Sequence, residues 1–115
     1  FLPGGWRLKD TLRLVPLLAE DGADLIDCTS GDIARPEPHP TGPCWQAPYA
    51  VAVRTRTGAP TAAVGKVTSL EQAARLLATG ACDLVLMGRQ QHLMSLPRGR
   101  GPRFLSCGPL IYTVQ

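Results

Sequence analysis

The sequence predicts an α/β fold, in which helix–strand units build a parallel sheet, and two patterns carry that reading. Three short, mainly apolar runs, Leu25–Cys28, Thr61–Val64 and Leu84–Met87, show no clean polar/apolar alternation. Strands covered on both faces look like this. Each run also follows a stretch of helical periodicity that ends at a glycine, with the strand starting within four residues: Gly22–Asp27, Gly58–Ala63 and Gly80–Val85. Helix, glycine, buried strand, loop, helix is the rhythm of a parallel sheet. An open doubly wound sheet and a (β/α)8 barrel both deliver it. Three strands do not close a barrel and leave two sheet edges open, so the barrel reading puts most of the fold outside this chain.

The helices follow from apolar spacing. Over Asp10–Glu20, Leu12, Val15, Leu18 and Ala19 fall on one face. Pro16 lies inside that helix and is expected to kink or shorten it, because it lacks the donor and crowds the preceding turn. A second helix is expected over Pro48–Thr57, with its proline in the first turn, where the missing N–H costs least. A third spans Ser69–Thr79. Ser69 and Gln72 are placed as a capping box, Leu70, Ala73, Ala74 and Leu77 are its expected inner face, and Gly80 is its stop.

Composition limits the function classes. Of the 115 residues, 44% are apolar and 18% charged, which is globular rather than disordered. No apolar run approaches the roughly 20 residues that span a bilayer, so no membrane segment is expected. Phe1–Trp6 has neither a basic region nor an apolar core and reads as a chain entered in mid-protein, not as a signal peptide. The formal charge is +3, and Arg98, Arg100 and Arg103 crowd a Gly/Pro-containing tail. Without an aromatic platform this reads as a solvated tail, and no nucleic-acid partner is expected. Cys28, Cys44, Cys82 and Cys107 form no CxxC pair and share no ligand spacing with His39 or His92, which argues against zinc. Free thiols in a reducing compartment, the cytoplasm, are expected. Cys28 reads as a small buried residue, and Asp24 and Asp27 as strand-end hydrogen-bonding groups rather than an acid pair.

Function in α/β folds gathers at the C-terminal strand ends. Here those ends read Thr29–Gly31, Gly65–Lys66 and Gly88–Arg89. Glycine lets backbone N–H groups approach phosphate oxygens, and an adjacent arginine adds a planar fork that matches the anion. Gly65, Gly88 and Arg89 thus form a candidate phosphate cradle, beside the plainer reading of a turn glycine and a surface arginine. His39 reads as a solvent-facing loop residue, and Trp45 and Tyr49 either line the site mouth or anchor the long loop.

Four stretches together resemble one family. Gly22–Gly31 is similar to the sixth-strand motif of the Old Yellow Enzyme family, in its bacterial ene-reductase branch. Gly42–Ala50 resembles the family's Gly-Pro-Gly-Tyr-Gln-x-Pro-Phe-Ala, with Cys44 for a glycine and Trp45 for the tyrosine. Pro60–Thr68 looks like the seventh strand and its flavin-facing turn, and Asp83–Arg89 like the eighth strand and its Gly-Arg. Gly4–Trp6 matches the loop after the fifth strand. The resemblance covers about residues 4 to 96. It implies the last three strands of a (β/α)8 TIM barrel with their helices, over residues 1–96. Residues 97–115 depart from the family and read as a divergent, poorly ordered tail, either a different reading of the chain's end or a segment without structural role. The resemblance implies non-covalent FMN, with Gly65, Gly88 and Arg89 at its phosphate. NAD(P)H is the implied hydride donor, an enone or similar activated alkene the implied acceptor, and a homo-oligomeric full-length form is left open. The family's substrate-binding histidine pair, its proton-donating tyrosine and its arginine near the flavin pyrimidine come from earlier strands, so no catalytic residue is assigned. The isolated chain is expected to be inactive; the alternatives are a non-catalytic remnant of such a barrel that binds no flavin, or another phosphate-binding TIM-barrel enzyme.

Overall fold

The computed structural model describes residues 3–30, 42–88 and, as backbone, 112–114. The order is α1 (Leu8–Glu20), β1 (Ile26–Cys28), α2 (Ala47–Thr57), β2 (Thr61–Ala63), α3 (Leu70–Ala78), β3 (Leu84–Val85) and β4 (Tyr112–Val114). The sheet order is β3-β2-β1-β4, and every pairing is parallel. Ile26 stands opposite Thr61, Cys28 opposite Ala63, and Ala63 opposite Val85. The three expected strands are therefore adjacent, parallel and in chain order.

Register fixes the faces, because side chains alternate along each strand. Ile26, Cys28, Ala63 and Val85 share one face and pack in one cluster with Val15 of α1, Ala47, Ala50 and Val53 of α2 and Leu76 of α3. Among the described residues all three helices thus lie against the same side of the sheet. A doubly wound sheet puts helices on both sides; one-sided cover is compatible with part of a barrel. Four strands do not themselves close one.

The helix ends follow local chemistry. Each C-terminus is terminated by a left-handed glycine, Gly22, Gly58 or Gly80. After α1 and α3 the next N–H reaches back across the turn, Ala23 N–H to Leu18 O at 2.8 Å and Ala81 N–H to Leu76 O at 3.0 Å. At the start of α1, Arg7 N–H donates to the Asp10 carboxylate at 3.0 Å, and Trp6 Nε1–H donates to Thr11 Oγ1 at 2.8 Å. At α3, Gln72 N–H donates to Ser69 Oγ at 3.2 Å. The return half of the expected capping box goes one residue further back: Gln72 Oε1 accepts from Thr68 N–H at 2.8 Å.

Two expectations need correction. α1 runs through Pro16 without ending, so the expected shortening is absent; Pro16 sits on the exposed side while Val15 beside it is fully buried, so packing holds the helix across the lost bond. The inner face of α3 is Ala73 with Leu76, whereas Leu70 and Leu77 are 44% and 46% exposed. The helix carries two apolar stripes, and among the described residues Leu76 joins the core while Leu70 and Leu77 do not. Within the 97–115 stretch, Tyr112–Val114 pairs with β1.

Candidate cofactor-binding end of the sheet

The C-terminal ends of β1, β2 and β3 lie side by side, at Thr29-Ser30, Val64-Gly65 and Leu86–Gly88. Gly65 has φ +101°, which an L side chain adopts only under strain. It also has no room for one: a Cβ there would stand 2.9 Å from both Cβ and Cγ of Gln46. The backbone at the end of β2 is thus laid directly on the Gln46 side chain. Gln46 enters from the turn before α2, where Ala47 N–H donates to Cys44 O at 2.9 Å and Cys44 N–H to Lys66 O at 3.4 Å.

Gln46 is buried and ties the ends of two strands together. Its Nε2 donates to the Ser30 carbonyl at 2.9 Å, beyond β1. Among the described residues its Oε1 is buried without a hydrogen-bond partner, and so is Ser30 Oγ. Buried polar atoms in folded proteins nearly always have partners. Both oxygens lie beside a glycine with positive φ and keep an accepting capacity that no described residue uses. Sequence reasoning missed Gln46, although it lies in the Gly42–Ala50 stretch and is the buried polar residue there.

Of the expected cradle, Gly65 is half-buried at this end, and Gly88 is exposed at the same end of the neighbouring strand with open space where a Cβ would stand. Arg89 lies outside the described residues, as do His39 and His92. Tyr49 packs against the core, which favours its anchoring role. Asp27, on the sheet face away from the helices, is buried with Oδ1 unpartnered, and burial pushes its carboxyl above the ordinary range. Burial, with Asp27 and Cys82 adding, pushes the Cys28 thiol up to about 12, so it stays protonated and unreactive. An apolar groove of about 600 Å³, lined by Pro48, Val51, Ala52 and Leu76 among others, runs along α2 on the helix side and is not part of the strand-end site.

At the opposite end of the sheet, Arg54 holds Asp83 with a two-pronged contact, Nε to Oδ2 at 3.0 Å and Nη2 to Oδ1 at 3.1 Å. Asp83 Oδ2 also accepts Thr61 N–H at 3.0 Å. This fork joins α2 to the starts of β2 and β3. Among the described residues no helix is long and apolar enough to cross a membrane.

No family model matches the chain. Individual relatives do. It is 40% identical over 88 residues to the NADPH dehydrogenase of Geobacillus thermodenitrificans, 76% of this chain and 26% of that protein. It is 38% identical over 90 residues to the NADPH dehydrogenase of Halalkalibacterium halodurans, covering 78% and 26%. The NADPH dehydrogenase of Listeria innocua matches at 36% over 87 residues, covering 76% and 25%. The chain spans about a quarter of the length of these relatives. With the four motifs in order and the strands that carry them parallel and adjacent, the chain belongs over this stretch to the Old Yellow Enzyme family.

Proposed function

We propose that the chain is the flavin-phosphate side of an FMN-dependent oxidoreductase that takes hydride from NADPH, within a (β/α)8 barrel in the cytoplasm. The observation that carries this reading is the convergence, at one end of a parallel sheet, of the positive-φ Gly65 and the unpartnered oxygens of Gln46 and Ser30. The relatives' name supports NADPH as the reductant.

The residues present fit the cofactor. Backbone N–H groups around Gly65 and Gly88 would receive phosphate oxygens, and Arg89 would add a guanidinium fork to the same group. Gln46 Oε1 and Ser30 Oγ would accept from hydroxyls of the ribityl chain, which adjoins the phosphate and carries donors of the kind both oxygens lack. When bound, FMN carries hydride from NADPH to an activated alkene. The work of this chain is to bind and orient the cofactor. Proton donation and substrate binding fall to strands other than β1–β3.

The test is NADPH oxidation with an activated enone, measured for residues 1–115 with added FMN and for a complete barrel carrying this segment. Enone-dependent turnover is expected only in the complete barrel. Turnover by the 115-residue chain well above that of free FMN would show that the segment is self-sufficient and the reading wrong.

A further inference from the structure

Between the buried Ala63 and Val67, the chain bends over Val64-Gly65-Lys66 at the end of β2. Gly65 has φ +101° and Lys66 φ +57°. A residue with a side chain keeps a left-handed backbone only where its surroundings hold it there. The hold comes from the turn before α2. Cys44, itself at φ +55°, donates its N–H to the Lys66 carbonyl at 3.4 Å. Two residues on, the buried Gln46 lies directly against Gly65, and its Nε2 donates to the Ser30 carbonyl at 2.9 Å, beyond β1. One short turn thus grips the end of β2 and links it to the end of β1.

We propose that Gln46 is a positioning residue for the flavin phosphate: it sets where the Gly65-Lys66 backbone stands relative to the end of β1, and so where the N–H groups that meet the phosphate point. This role rests on the flavin-phosphate reading and goes beyond the ribityl contact of Oε1. It runs through Nε2 and the body of the side chain to a group that Gln46 does not touch. A cradle of backbone N–H groups has no side chain that can swing to follow the ligand, so its fit is the fit of the backbone, and such a site tolerates displacements of only about 0.5 Å. Holding that geometry before the ligand arrives raises affinity, because less ordering is left for binding to accomplish. Gln46→Met keeps the length of the side chain and loses the bond to Ser30. Gln46→Asn keeps the amide but is one carbon too short to reach Ser30 from its place against Gly65.

The experiment is titration of FMN and of riboflavin into a complete barrel carrying this segment, as the parent and as each variant, and it reads the ratio of the two dissociation constants. A variant that merely folds less well weakens both flavins by the same factor and leaves the ratio unchanged. Loss of a ribityl contact, which both flavins make, does the same. The parent should favour FMN, and in both variants that preference should fall by about fivefold or more, the scale of one hydrogen bond. A preference unchanged in either variant would overturn the positioning role and leave the phosphate reading standing. A parent that does not favour FMN over riboflavin would overturn the phosphate reading itself, and the positioning role with it.

Discussion

Gly65 and Gln46 form a single device. The glycine leaves the space that the glutamine fills, and the glutamine carries a hydrogen bond from there to the end of β1. Gly65→Ala must place a side chain at φ +101° and 2.9 Å from Gln46. The expected cost is about 1–3 kcal/mol, the usual scale of backbone strain of this kind, read as a lower midpoint in urea denaturation. Unchanged stability would mean that Gln46 is free to move and that the strand ends are not held as described. The place of Gly65 and Gly88 at strand ends was legible in the sequence, because a glycine directly after a buried strand is itself the signal. Gln46 was not, because nothing in its spacing tells which loop side chain folds back over Ser30. The burial of Cys28 was legible from its place in an apolar run, and that burial, with Asp27 and Cys82 adding, pushes its thiol pKa up.

At the level of elements, the strands and helix ends were readable because they rest on local rules: short apolar runs, caps and left-handed glycines. The misreadings concern packing. Helical spacing correctly marks α3 as apolar on Leu70, Ala73 and Leu77, but it cannot say which stripe meets β3. The pairing of Tyr112–Val114 with β1 is a contact between distant parts of the chain that no local pattern announces. The Arg54–Asp83 fork is of the same kind, and it makes stability depend on pH. The Arg54 guanidinium first, and then the Thr61 N–H, hold the Asp83 carboxyl below its usual range. A carboxyl lowered on folding adds stability above its unfolded pKa of roughly 3.9, and that stability is lost as pH falls through the folded value. Asp83→Asn keeps an acceptor for Thr61 and removes the charge. At pH 7 its denaturation midpoint should lie below the parent's, by a small margin because the pair is partly exposed. The two curves should converge once the pH is below the folded pKa of Asp83. A gap that persists unchanged into acid would mean that the fork contributes through packing and not through charge.

Over the whole molecule, the chain matches about a quarter of its relatives' length, and the two ends of its sheet differ in how their polar groups are paired. The Asp83 end is tied by an ion pair, and at the Gly65 end polar atoms have no partner among the described residues. That asymmetry supports the proposed reading of a barrel segment that holds a phosphorylated cofactor, since binding loops sit at one rim of a barrel and stabilising contacts at the other. Phosphate contacts alone should not retain FMN on the isolated chain, because ordering the loops would cost free energy that a complete barrel has already met in folding. The central claim is therefore best tested in a complete barrel carrying this segment, by titrating FMN and riboflavin against the parent, Arg89→Ala and Arg89→Lys. Arg89→Ala should weaken FMN by roughly 1.5–3 kcal/mol, the worth of a hydrogen bond to a charged group, and leave riboflavin, which has no phosphate, unchanged. Arg89→Lys should recover only part of the loss, because a point charge does not reproduce the fork. Equal effects on FMN and riboflavin, or no effect on either, would place the phosphate elsewhere and contradict the account.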